Sequence, residues 1–248
     1  MKILVFNLII IILGFFPVIL FSQTVEPSSS VDKNIFQLEL ESIYSIQKEG
    51  SEEMKSWSIP SVLIRYGLSN SIELQFNAPL IRENLYENDH LIHSLHKFDD
   101  MQLGLSVNLW KQDKLLPETA LMVRAIVPID KGIKLQEIGK VISLNFSNKL
   151  TKKLTLNYNI GLVNETESTS SGFYITNLCY AISAKTRVFI ETFGDFSNHY
   201  KASHNINIGG GYSLRENLCV GFTVANGINH NLFYTGCILN WSINTKKI

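Results

Sequence analysis

From Ile35 onward the chain alternates apolar and polar side chains at every second position, and that period makes a strand with two unlike faces. The clearest stretch sets Met101, Leu103, Leu105, Val107 and Leu109 against Gln102, Gly104, Ser106 and Asn108. The pattern returns with Leu154, Leu156, Tyr158, Ile160 and Leu162 against Thr155, Asn157, Asn159 and Gly161, and again around Ile206, Ile208 and Tyr212. Strands are expected at 35–46, 57–67, 71–80, 99–110, 117–128, 139–147, 154–163, 173–183, 187–194, 205–213, 218–225 and 232–243. That is about twelve, an even number, and no comparable helical spacing appears.

Alternation alone fits either a soluble sandwich or a membrane barrel, so other features must separate them. The stretches run to about 9–12 residues, as a tilted membrane strand requires, where soluble strands average about 5–6. Gly, Ser, Asn and Gln dominate the polar face, a poor sandwich core and an ordinary wet barrel interior. Connections also alternate in length. Short turns fall at 68–70, 111–116, 148–153, 184–186 and 214–217, whereas the longest connection runs from Ile81 to Phe98. The expectation is an all-β, antiparallel up-and-down transmembrane β-barrel of about 12 strands, with the short turns and both termini on the periplasmic side. Trp57, Tyr66, Trp110, Phe146, Tyr174 and Trp241 lie near strand ends, which fits interfacial girdles and also ordinary strand formers.

The first residues read as an address. Lys2 precedes an apolar run from Ile3 to Phe21, followed by Ser22, Gln23 and Thr24. Basic start, apolar middle and polar exit form the signal-peptide pattern. The organisation expected is a signal peptide at 1–22, with the mature chain starting near Gln23, a periplasmic N-terminal linker at 23–34 and the barrel at 35–248. Lysine plus arginine number 22 and aspartate plus glutamate 22, so no basic field recruits nucleic acid. Cys179, Cys219 and Cys237 are scattered and form no CxxC pair.

Strand parity turns one set of charges inward: Glu39, Glu41, Arg65, Glu73, Glu118, Arg124, Arg187 and Glu191. A cation facing lipid at mid-depth costs about 2–4 kcal/mol, so mid-strand charges belong in the lumen. They serve there either as interior salt bridges or as a lining for solute. Phe189 and Phe193 share the inward face with Glu191. His90, His93 and His96 stand three apart in the longest connection, and His199, His204 and His230 fall at the same end. A solvated polar loop explains them better than a metal site, and no cofactor is expected. GxSxG, HExxH and a phosphate-binding glycine loop are absent, and adjacent Ser203 and His204 point to opposite faces, so no enzyme is expected.

Several pieces together resemble a family of outer-membrane transporters named for the meta-pathway of phenol degradation. They are Phe36-Gln37-Leu38-Glu39, Arg65-Tyr66-Gly67-Leu68 with Ile72-Glu73-Leu74, and Glu118-Thr119-Ala120 with Val127-Pro128. Asn157-Tyr158-Asn159-Ile160-Gly161, Phe189-Ile190-Glu191 before Gly194, and His204-Asn205 before Gly209 complete the set. The chain departs from the family at Pro128-Ile129-Asp130 and in its basic tail Lys246-Lys247-Ile248, where a terminal aromatic residue usually helps the barrel assembly machinery. The resemblance implies an outer-membrane transporter or channel, with outer-membrane lipid and a small-molecule solute as partners. The family label implies small hydrophobic or aromatic compounds; the alternative is a closed structural or binding barrel.

Overall fold

The computed structural model describes residues 25–129, 137–166, 169–198 and 201–247; the expected signal peptide and residues 23 and 24 lie outside them. All twelve expected strands form. They are β1 (Ile35–Glu49), β2 (Glu52–Gly67), β3 (Ile72–Glu87), β5 (Met101–Trp110), β6 (Glu118–Val127), β7 (Gly139–Lys149), β8 (Leu154–Thr166), β9 (Thr169–Ala181), β10 (Thr186–Phe196), β11 (Ser203–Arg215), β12 (Leu218–Gly227) and β13 (Asn231–Asn244). One further strand, β4 (His90–Phe98), completes the list. Each staple pairs antiparallel with its neighbour, and β1 joins β13 from Ile35↔Asn244 to Lys48↔Asn231. That last pairing closes a ring of twelve staves and leaves the barrel without an open seam. Among the described residues no helix is long and apolar enough to cross a membrane.

β4 corrects the expectation of a long loop at 81–98. β3 continues past the barrel body to Glu87, turns at Asn88–Asp89, and returns as β4 along its own upper half, Leu80↔Phe98 to Glu87↔His90. Both turn residues adopt left-handed φ of 48° and 66°, which Asn and Asp tolerate in a two-residue hairpin turn. β1 and β2 likewise extend to a tip at Gly50, whose φ is 59°. Charged residues such as Arg82, Glu83 and Glu87 read as loop because neither face is apolar. Beyond a membrane, neither face has to be.

Proline also sets a register. Glu41 pairs with Ser61 but Ile43 pairs with Ser58, so Ile59 and Pro60 bulge out of β2. Proline has no N–H to give the ladder, and the bulge carries it without an orphaned partner. Register shifts recur only near the ends of β5, β8 and β11 and in the β3–β4 hairpin, and between them the parity holds. Leu105 is 40% exposed on the outer surface while Ser106 beside it is 2% exposed inside. Leu74, Leu103, Ile142, Ile160, Leu162, Ile208 and Phe222 continue the exposed apolar belt around the ring. So wide an apolar surface is not stable against water and marks a lipid-facing wall.

Candidate functional site in the barrel lumen

The lumen is crossed by a segment that the sequence reads as a linker. Val25–Asn34 runs inside the ring, and its main chain is bound by interior side chains. The Val25 N–H donates to Glu191 Oε2 at 3.2 Å, and the Glu26 N–H to Asn159 Oδ1 at 2.8 Å. Asn159 Nδ2 returns a bond to the Glu26 carbonyl at 2.9 Å, and Asn108 Nδ2 donates to the Ser28 carbonyl at 2.7 Å. The Val31 N–H donates to Glu73 Oε2 at 2.6 Å, and the Asn34 N–H to the Gly67 carbonyl at 2.9 Å. β10, which holds Val25, stands six staves from β3, which holds Val31, in a ring of twelve. The segment is therefore a chord across the diameter, and six extended residues reach about 20 Å, enough to make it.

Gly67 permits the close approach at the chord's end, because a Cβ there would collide with the main chain of Val31 and Asp32. Pro27 favours an extended path, and the small Ser28–Ser30 fit a narrow interior. Sequence reasoning missed this element because main-chain groups, not side chains, carry most of its bonds.

Around the chord's far end, interior charges form one connected group. Arg65 Nε donates to Glu73 Oε1 at 2.9 Å and Nη2 at 2.7 Å, while Glu39 lies 3.6 Å from Arg65 Nη1. Gln75 Nε2 donates to Glu73 Oε1 at 2.7 Å, and Gln75 Oε1 accepts from Arg124 Nε at 2.8 Å. Arg124 Nη2 closes the circuit on the Glu26 carboxylate at 2.7 Å. Glu73 is 0% exposed, so its charge is compensated wholly by these donors. A carboxylate in that position needs nearly every lone pair filled, and Arg65, Gln75 and Val31 together do so.

The remaining expected lumen charges divide. Glu41 is buried on β1. Glu191 is 1% exposed and receives Asn177 Nδ2 at 3.0 Å and Asn207 Nδ2 at 3.1 Å besides Val25. Glu118 sits at the short-turn rim, taking Lys111 Nζ at 2.7 Å and Asn108 Nδ2 at 3.1 Å. Arg187 stays exposed near the same rim, 3.9 Å from Cys219 Sγ. Six of the eight thus lie deep in the interior, and two mark its mouth.

On β6 to β9 part of the lining is apolar. Met122, Ile126, Val141, Val163, Phe173 and Ile175 form one buried apolar cluster, with Val25 and Phe193 against it. Ile43, Ala225, Leu232 and Tyr234 form a second, and Phe193 touches both. Phe189 packs over Gly209, where a Cβ would strike its ring. These aliphatic residues were absent from the expected lining, although the sequence carries a signal. Along Ala120–Val127 apolar residues occupy both parities, interrupted only by Arg124, and a strand buried on both faces reads that way.

The histidines do not converge. His90, His93 and His96 are strung along exposed β4, His199 lies outside the described residues, and no group of three metal-ligating side chains occurs among the described residues. At the start of β11, Ser203 hydroxyl bonds Asp195, whereas His204 Nδ1 meets the Tyr174 hydroxyl at 2.9 Å. Serine and histidine thus engage different partners.

A closed twelve-stave antiparallel barrel with an apolar exterior is the fold of outer-membrane β-barrels. An outer membrane channel from Pseudomonas putida F1 superposes with a TM-score of 0.70 at 10% identity, over 89% of this chain and 100% of that one. The translocator domain of the autotransporter NalP from Neisseria meningitidis gives 0.52 at 9%, over 86% and 88%. The KdgM porin in complex with disordered oligogalacturonate gives 0.51 at 10%, over 83% and 99%. At these identities the likeness is one of fold. No family model matches the chain, and no curated protein matches it.

Proposed function

We propose that this chain is an outer-membrane channel for small hydrophobic solutes, exported on a cleaved N-terminal signal and closed at rest by the chord Val25–Asn34. The observation that carries the reading is the divided lumen. One part, around Glu73 and Asn159, is polar and holds the chord through hydrogen bonds, and another is lined by Met122, Val141, Val163, Phe173 and Ile175. An apolar chamber takes up a solute that water releases readily, and polar groups below let a displaced segment be rewetted. The sequence resemblance to the phenol meta-pathway transporters supports membership of that family and aromatic compounds as the solute class. Lipid then surrounds the exposed belt, and the barrel assembly machinery inserts the chain.

One observation favours a second reading, a closed structural or binding barrel: interior side chains such as Glu73, Ser143 and Tyr234 are almost wholly inaccessible to water. Planar-bilayer recording separates the two. The mature chain should conduct weakly, and a variant lacking residues 25–33 should conduct severalfold more and pass toluene or phenol into vesicles. A deletion variant that migrates as a folded, heat-modifiable barrel yet shows neither conductance nor flux sinks the channel reading.

A further inference from the structure

The two ends of the barrel are unlike in charge, and one of them fits a partner. At the long-hairpin end the tips carry Glu49, Glu52, Glu53, Glu87 and Asp89 against Lys48 and Lys55. At the other end Lys114, Lys149, Lys152, Lys153, Lys185 and Arg215 are all exposed, and the turns there contribute only Asp113 and Glu216 in opposition. Lys111 is already engaged by Glu118.

Three of those turns repeat one design. In each, an aliphatic residue and the Ser or Thr after it donate their N–H groups to a carbonyl that opens the next strand. Leu68 and Ser69 donate to Ile72 at 2.9 and 3.2 Å, Leu150 and Thr151 to Leu154 at 2.9 and 3.1 Å, and Ile182 and Ser183 to Thr186 at 2.9 and 3.2 Å. The hydroxyl then caps the turn from within. Thr151 Oγ1 accepts the N–H of Lys153 at 3.1 Å, and Ser183 Oγ that of Lys185 at 3.1 Å. The turn is thereby stiffened with its aliphatic side chain exposed and, in two of three cases, a lysine three residues on. Leu115, Leu116 and Leu214 repeat the exposed aliphatic in the other turns. Just above, at the edge of the apolar belt, Trp110, Tyr180, Tyr212 and Trp241 are exposed on the outer wall.

We propose that this collar binds anionic phospholipid headgroups in the leaflet at the short-turn end. The reading rests on the chain being a membrane barrel. Aliphatic and aromatic side chains continue the belt to the ester level of the bilayer, where Trp and Tyr are favoured. Ammonium and guanidinium groups then stand at the depth of the phosphates, and anionic lipid concentrates there. The acidic tips at the opposite end give the molecule one preferred orientation toward such a leaflet.

The test uses the full barrel carrying Trp57→Phe, so that Trp110 and Trp241 report on this end alone. Reconstituted with brominated phosphatidylcholine and increasing phosphatidylglycerol, it should show the anionic lipid displacing the quencher. A relative binding constant of about fivefold is expected, what one cation at an anionic surface supplies. That preference should fall to about unity in 0.5 M salt and in a variant with Lys114, Lys149, Lys152, Lys153, Lys185 and Arg215 all changed to Gln. Equal affinity for the two lipids at low salt, or a preference that survives both salt and the neutral variant, overturns the proposal. A barrel that fails to insert into phosphatidylcholine alone overturns the membrane reading itself, a distinct outcome.

Discussion

The wall made by β2, β3 and β6 around Arg65 and Glu73 and the wall made by β6 to β9 around Val141 are both buried, yet they are held by opposite means. The first keeps Arg65, Glu73, Gln75 and Arg124 in a bonded circuit that includes the chord; the second packs Met122, Val141, Val163, Phe173 and Ile175 without a polar atom among them. A buried ion group depends on the identity of each partner, because losing one leaves a charge with no solvent. An apolar cluster depends on volume and forgives small changes of shape. The chord is hydrogen-bonded at both ends, to Glu73 through Val31 and to Glu191 and Asn159 through Val25 and Glu26, and only the Val25 side chain packs on the apolar cluster. Freeing the segment would therefore break hydrogen bonds at both of its ends, while the apolar cluster can change shape without touching them.

The largest expected effect tests the first half of that contrast. Arg65→Ala leaves Glu73 and Glu39 without their shared cation and should destabilise the barrel by about 3–5 kcal/mol, measured as a shift in denaturant midpoint in detergent micelles. The double change Arg65→Met with Glu73→Leu should recover most of that loss, as apolar replacement of a buried ion pair commonly does. A double variant no better than the single one breaks the argument. On the other wall, Ile175→Val should cost only about 0.5–1.5 kcal/mol. A loss there as large as that of Arg65→Ala would mean that the two walls do not differ in kind.

A control lies on the outer surface, where the walls should be the same. Leu105→Arg, backing the polar lining, and Ile142→Arg, beside Val141 of the apolar one, should each cost about 2–4 kcal/mol in lipid, since both side chains face the hydrocarbon. Unequal penalties would show that the interior difference reaches through the sheet.

Much of this was legible from side-chain period. The ring, its strand starts and the inward facing of Glu39, Glu41, Arg65, Glu73, Arg124 and Glu191 follow from alternation, because a one-residue slip would turn every charge into lipid. Three things were not. β4 was hidden because a strand outside the membrane needs no apolar face. The chord was hidden because its bonds are made by N–H and C=O groups that every residue owns. The apolar chamber was partly visible in the double-parity run at Ala120–Val127, but alternation read face by face treats such a run as noise. The bulge at Ile59–Pro60 was signalled by proline alone.

The smallest expected effect concerns the acidic tip, where the contrast between ion-held and apolar structure can be followed into water. Glu53 accepts from Lys48 and from Lys55, the latter at 2.7 Å, and Lys55 also stands 4.6 Å from the centre of the Tyr86 ring. These two ammonium groups hold the Glu53 carboxyl below the usual glutamate range, with hydrogen bonding the main cause. A group whose folded pKa is depressed contributes stability that is fully present above its unfolded value, about 4.3, and is lost as pH falls through the lower folded value. The pairing is exposed and screened, so its loss should open the hairpin tip without unfolding the barrel. Hydrogen-exchange protection at Lys48 and Glu53, opposed across β1 and β2, should fall between pH 5 and 3 while that at Arg124 and Val141 holds. Removing both cations with Lys48→Gln and Lys55→Gln should lower protection at neutral pH and flatten the acid response. An unchanged acid response in that variant would assign the opening to the other carboxylates of the tip and not to the ion pairs of Glu53.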